Sequence, residues 1–115
     1  MLFRSYAAVL VSAAFRVGVD VEKITDKVEK VKHKFLSPFE QNLIESLSNN
    51  NAELYKRYLT TAWSIKESLF KWYGIGEVDF INHLHIEKII IADNSGVAFC
   101  TILKSVSINL KVHFI

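Results

Sequence analysis

The chain has 115 residues, half of them hydrophobic and 23% charged, with a formal net charge of +2. That balance, with no dense Lys/Arg run, gives no support for nucleic-acid binding. The single cysteine, Cys100, rules out an intrachain disulfide and a cysteine zinc site. A reducing, cytoplasmic setting is the simplest fit. The length suits one domain over residues 1–115, with one core and some benefit from oligomerisation.

The first apolar run, Tyr6 to Phe15, falls short of the roughly 20 residues a membrane span needs. With Arg4 before it and small residues at Ala13 and Ala14, the run also has features of a secretory leader. Its length and valines fit a buried strand over Tyr6–Ser12. A second strand is predicted over Phe15–Val21, where Val17, Val19 and Val21 alternate with Gly18 and Asp20. The two make a hairpin linked at about Ala13 and Ala14.

The period then becomes helical. Ile24, Val28, Val31 and Phe35 predict a short amphipathic helix ending near Phe35. Ser37, Pro38 and Glu40 supply an N-cap, a first helical residue and a capping box for the next helix. The "SNNN" run at 48–51 ends it. A third helix, the longest, is predicted from Asn50 or Asn51 to Tyr73, with Gly74 as its C-terminal cap. Strands are expected at Val78–Phe80, Leu84–Ile91, Val97–Ile102 and Val106–Phe114, with a turn at "DNSG", 93–96. Helices and strands segregated along the chain argue for an α+β fold with an antiparallel sheet.

Two polar clusters could carry chemistry. In "GVDVE", Asp20 and Glu22 alternate onto one side of the strand and could share a hard divalent cation. Equally, they could be solvated acids that favour the start of the next helix. In "WSIKESLFK", Glu67 and Lys71 are four apart, with Lys66 adjacent. The plain alternative there is a surface ion pair worth a few tenths of a kcal/mol. Trp63, one turn before Glu67, makes that face partly apolar. His83 and His85 could form a metal pair on one strand face, without a third ligand near in sequence. The Gly74 and Gly76 pair follows a helix instead of opening one, so it makes no phosphate loop.

Taken in order, "GVDVE", "KFLSPFE" at 34–40 and "WSIKESLFKWYG" at 63–74 resemble the 4′-phosphopantetheinyl transferase superfamily. The family pattern is Gly-x-Asp-x-Glu, Phe-Ser-x-x-Glu and Trp-x-x-Lys-Glu-x-x-x-Lys. The resemblance implies a half-domain with an antiparallel sheet packed on a long central helix plus two shorter helices. It implies Mg²⁺-dependent transfer of the phosphopantetheine arm of coenzyme A to a serine of an acyl or peptidyl carrier protein, releasing 3′,5′-ADP. Asp20, Glu22 and Glu67 would hold Mg²⁺. Lys71, with Lys66, would neutralise coenzyme A phosphates. Glu67 would also act as general base for the serine, so Glu67 and Lys71 form the implied catalytic pair.

The larger, two-halved members carry a Ser-His-Ser motif before the first strand, roughly where Leu2 and Phe3 stand here. The chain therefore resembles a lone C-terminal half, with a cut at either end left open. Its size matches the small holo-acyl-carrier-protein synthases, which work as oligomers. The alternative is an inactive family member serving as a non-catalytic α+β domain. Neither nucleic acid nor membrane is implied as a partner.

Overall fold

The computed structural model describes residues 6–13, 16–23, 27–74, 76–93 and 95–115, with the backbone alone for 6–13 and 16–23. Strands β1 (Tyr6–Ala13) and β2 (Arg16–Lys23) form an antiparallel hairpin in which Val9 faces Asp20 and Ala7 faces Glu22. The first helical run ends where its periodicity predicts, next to Phe35. Helix α1 spans Lys27–Val31 and tightens into a 3-10 turn at Lys32–Lys34, while residues 24–26 lie outside the described set. The Lys32 carbonyl accepts both the Phe35 and Leu36 amides, at 3.2 and 2.9 Å. That tight turn lets two adjacent apolar residues, Phe35 and Leu36, both enter the core.

Helix α2 (Pro38–Ser48) begins with the predicted capping box. The Ser37 hydroxyl accepts the Glu40 amide at 3.2 Å, and the Glu40 carboxylate accepts the Ser37 amide at 2.9 Å. Helix α3 (Ala52–Tyr73) is capped by Asn51, whose side chain accepts the Leu54 amide at 3.0 Å. It ends at Gly74, whose φ of 69° is left-handed and suits a residue without Cβ. Along α3 the large apolar residues Leu59, Ala62, Ile65 and Leu69 are buried.

The strand expected at Val78–Phe80 does not form. The Asp79 carboxylate accepts the Ile81 and Asn82 amides at 2.8 and 2.9 Å, turning the chain where a strand would need those amides for pairing. Three strands follow: β3 (Leu84–Ala92), β4 (Ser95–Leu103) and β5 (Ser107–Phe114). All pairings are antiparallel and the strand order is β2-β1-β5-β4-β3, so β5 joins the N-terminal hairpin to the C-terminal meander. This is an α+β fold, as expected.

One sheet face carries Ala98, Cys100 and Ile102 of β4 and Leu110, Val112 and Phe114 of β5, all buried with the apolar side of α3. Strict alternation in β5 reflects one face turned to the core and the other to solvent. A bulge between Ile86 and Lys88 shifts the register of β3. Glu87 there reaches the Thr101 hydroxyl on the opposite face.

Gly96 on β4 shows how tight the core is. A Cβ there would come within 2.3 Å of the buried Phe114 ring and 3.0 Å of the Ile90 carbonyl. Gly96→Ala should therefore destabilise the fold by about 1–3 kcal/mol, the usual range for overpacking. Urea denaturation should show a lower midpoint with an unchanged slope; an unchanged midpoint would mean that Phe114 moves aside freely.

Candidate functional site

The residues singled out in the sequence fall on two elements that the fold sets together: β2 at the sheet edge and α3, which packs across β1 and β2. The sheet register places the β2 acids. Val11 pairs with both Gly18 and Val112, and Val9 with both Asp20 and Phe114. Residues paired across an antiparallel ladder share a face, and so do residues two apart in a strand. Asp20 and Glu22 thus occupy positions on the same sheet face as buried Val112 and Phe114, the face against which α3 packs. Their side chains lie outside the described residues.

Glu67 is half-buried near the C-terminal third of α3, and Lys71 one turn later is exposed. At 100° per residue, Glu67 sits on a seam of the helix. On one side lie Lys71, Ser64 and Ser68. On the other lie Trp63 and Phe70. Ser64 and Ser68 are fully buried, and their hydroxyls have no hydrogen-bond partner among the described residues. Buried hydroxyls normally find partners. Both serines lie beside Glu67 on a helix that crosses β1 and β2, whose side chains are outside the described residues.

Lys66 has a different setting. It is fully buried, and its ammonium donates to the Glu40 carboxylate at 3.0 and 2.9 Å, to the Phe80 carbonyl at 2.6 Å and to the Leu84 carbonyl. Burial pulls this lysine below its ordinary value, while the Glu40 carboxylate opposes the shift. Its donors are used inside the protein, so Lys66 does not reach a surface that a phosphate would approach. Glu40, 2% exposed, also accepts the Ile86 amide at 2.7 Å. The pair therefore ties α2, α3 and the start of β3 to one point.

Sequence reasoning read Glu40 as a helix cap and missed this second role. Its place in the "FLSPFE" segment was the signal, but a capping glutamate is usually solvated, and only its packing shows otherwise.

The histidines brace a loop. The His83 Nδ1 accepts the Asp79 amide at 2.8 Å, and the His85 Nε2 lies 2.9 Å from the Asn82 carbonyl. No group of three or more His, Cys, Asp or Glu side chains that could hold a metal occurs among the described residues, a set that leaves out the Asp20 and Glu22 side chains. Burial pushes the Cys100 thiol up to about 12, so it stays neutral at ordinary pH and is a poor nucleophile. Among the described residues, no helix is long and apolar enough to cross a membrane.

Compared with known protein families, residues 16–112 match the model of the 4′-phosphopantetheinyl transferase superfamily. Neither the curated proteins nor the solved structures gave a match.

Proposed function

The chain belongs to the 4′-phosphopantetheinyl transferase superfamily, and from that premise we propose that it transfers the phosphopantetheine group of coenzyme A to a serine of a carrier protein. The observation that carries the reading is the placement of Asp20 and Glu22 on the sheet face beneath α3, the helix that bears Glu67. Three carboxylates are the donor chemistry that a hard cation such as Mg²⁺ takes. When bound, Mg²⁺ would neutralise charge on the pyrophosphate oxygens.

In this reading the chain's own residues divide the work. Asp20, Glu22 and Glu67 would hold the cation. Lys71, exposed in the last turn of α3, meets the coenzyme A phosphates. Glu67 takes the proton of the carrier serine, directly or through water, as the serine oxygen bonds to phosphorus and 3′,5′-ADP leaves with its oxygen. Lys66, enclosed with Glu40, supports the helix that presents Glu67. The proposal extends to a protein that self-associates, in line with its small single core, and that works in the reducing cytoplasm, in line with its single cysteine.

The test is incubation with apo acyl and peptidyl carrier proteins, coenzyme A and Mg²⁺, read by intact mass of the carrier. A gain of one phosphopantetheine group, lost when Mg²⁺ is chelated, is the expected result. A folded chain that modifies none of the carriers would sink the transferase reading and leave a non-catalytic domain.

A further inference from the structure

One imidazole holds the segment between α3 and β3. The His83 Nδ1 accepts the Asp79 amide at 2.8 Å, and the His83 amide donates to the Asp79 carbonyl at 2.9 Å. The His83 carbonyl accepts the amide of Leu103, the last residue of β4, at 2.8 Å. His83 thus closes the loop on itself and fastens it to the sheet. A ring nitrogen that accepts an amide hydrogen carries no proton of its own. The side-chain bond therefore requires a neutral imidazole with its proton on Nε2.

The loop bears on the part of α3 that presents Glu67. Phe80 lies within it. Its carbonyl accepts the Lys66 ammonium at 2.6 Å, and its ring centroid lies 5.6 Å from that of Trp63 and 5.7 Å from that of Phe70. Trp63 precedes Glu67 by four residues and Phe70 follows it by three, so both are its neighbours on the helix surface. Lys66 adjoins it in the chain. One loop residue therefore packs on α3 before, beside and after the half-buried Glu67.

Resting on the transferase reading, we infer that His83 is a positioning residue for Glu67 and works as a proton-operated latch. Neutral, it seats Phe80 against α3. Protonated, it gives up the Asp79 amide and loosens the loop, because an imidazolium offers only donors. The titratable and charged groups near it are Asp79 and Glu77 on its own loop, Lys66 on α3, Lys104 in the turn after β4, and His85 on β3. The two lysines oppose a further positive charge. The Asp79 carboxylate favours one, but it already accepts the Ile81 and Asn82 amides and the Asn82 side chain. An imidazolium that turned to that carboxylate would still forfeit the Asp79 amide. The latch is therefore closed above the range where imidazoles change charge, about pH 5–8, and opens as pH falls through it.

The experiment uses the full chain. Hydrogen exchange of the Asp79 amide is followed by NMR, with rates corrected for their intrinsic pH dependence. Wild-type protection should fall about fivefold, the share of one hydrogen bond, from about pH 8 to about pH 5. His83→Asn offers a side-chain oxygen close to where Nδ1 stands and does not titrate, so protection should hold across the range. His83→Phe should lack that protection throughout. Carrier transfer is then measured at the same pH values with both substrates saturating. Dividing the wild-type rate by the His83→Asn rate cancels Glu67 and every other titrating group. That ratio should be near unity at the alkaline end and fall in step with the loss of protection, while KM for coenzyme A holds.

Equal protection of the Asp79 amide in wild type and His83→Phe overturns the latch, as does wild-type protection that does not change with pH. If His83→Phe fails to fold, wild type and His83→Asn carry the comparison. A latch seen by exchange with a flat rate ratio overturns the positioning of Glu67 and leaves the transferase reading intact. A latch seen by exchange in a chain that modifies no carrier overturns the transferase reading, and the positioning role with it, but not the latch.

Discussion

Replacing Glu40 by alanine is expected to destabilise the fold by about 3–5 kcal/mol, the cost of leaving a buried charge without its partner. Lys66 is fully enclosed and its ammonium relies on the Glu40 carboxylate for its only opposite charge among the described residues within 4 Å. The same substitution orphans the Ser37 and Ile86 amides. Because domains of this size are stable by about 5–15 kcal/mol, the variant should be marginal or unfolded at 37 °C.

Urea denaturation checks this, and two companion variants test the cause. Lys66→Met alone should also destabilise, since it leaves the carboxylate buried. The double variant Glu40→Gln/Lys66→Met should recover part of the loss, because it removes both charges and keeps one side-chain oxygen, enough for either the Ser37 or the Ile86 amide. A Glu40→Ala cost below about 1 kcal/mol would mean that water replaces the carboxylate, in conflict with the burial of the site.

The pair also sets a pH dependence. Lys66 has a folded-state value below the 10.5 of the unfolded chain. Between the two values the unfolded chain binds the extra proton, so this lysine's contribution to stability rises as pH rises through that window. Below the folded value its burden is felt in full.

On the proposed reading, in which Glu67 is both a cation ligand and the base, Glu67→Gln is expected to lower transfer to the carrier serine by at least about 10²-fold. The substitution is close in size and hydrogen-bonding capacity, so stability should change by about 1 kcal/mol or less. Rate is read by carrier mass against time, and cation binding separately by calorimetry with Mg²⁺ and coenzyme A. Asp20→Asn should give a loss of similar size. The double variant should be little worse than either single one, since groups that act as a unit are not additive. Retention of more than about a tenth of the wild-type rate by Glu67→Gln would remove it from the chemistry.

Much of the fold was legible because it rests on local rules. Ser37, Pro38 and Glu40 start α2, Asn51 and Gly74 bound α3, and "DNSG" falls where β3 gives way to β4, its Ser95 and Gly96 already in β4. Each signal acts over three or four residues, so it reads the same in sequence and in structure. Misreadings arose where a side chain outcompeted backbone pairing. The apolar alternation at Val78–Phe80 suggested a strand, but the Asp79 carboxylate claimed two amides and turned the chain.

The functional residues divide in the same way. Spacing alone set Asp20 and Glu22 on one side of a strand and Glu67 one turn from Lys71, because strand and helix periods dictate those relations. Which side of the sheet the acids occupy depended on the pairing of β1 with β5, a contact between chain ends about a hundred residues apart. The fate of Lys66 depended on tertiary packing too. Beside Glu67 in sequence it was indistinguishable from a phosphate-binding lysine. A helix turns 100° per residue, so neighbours face different surroundings. Lys66 was carried to the inside against Glu40 and Glu67 to the edge of the open surface.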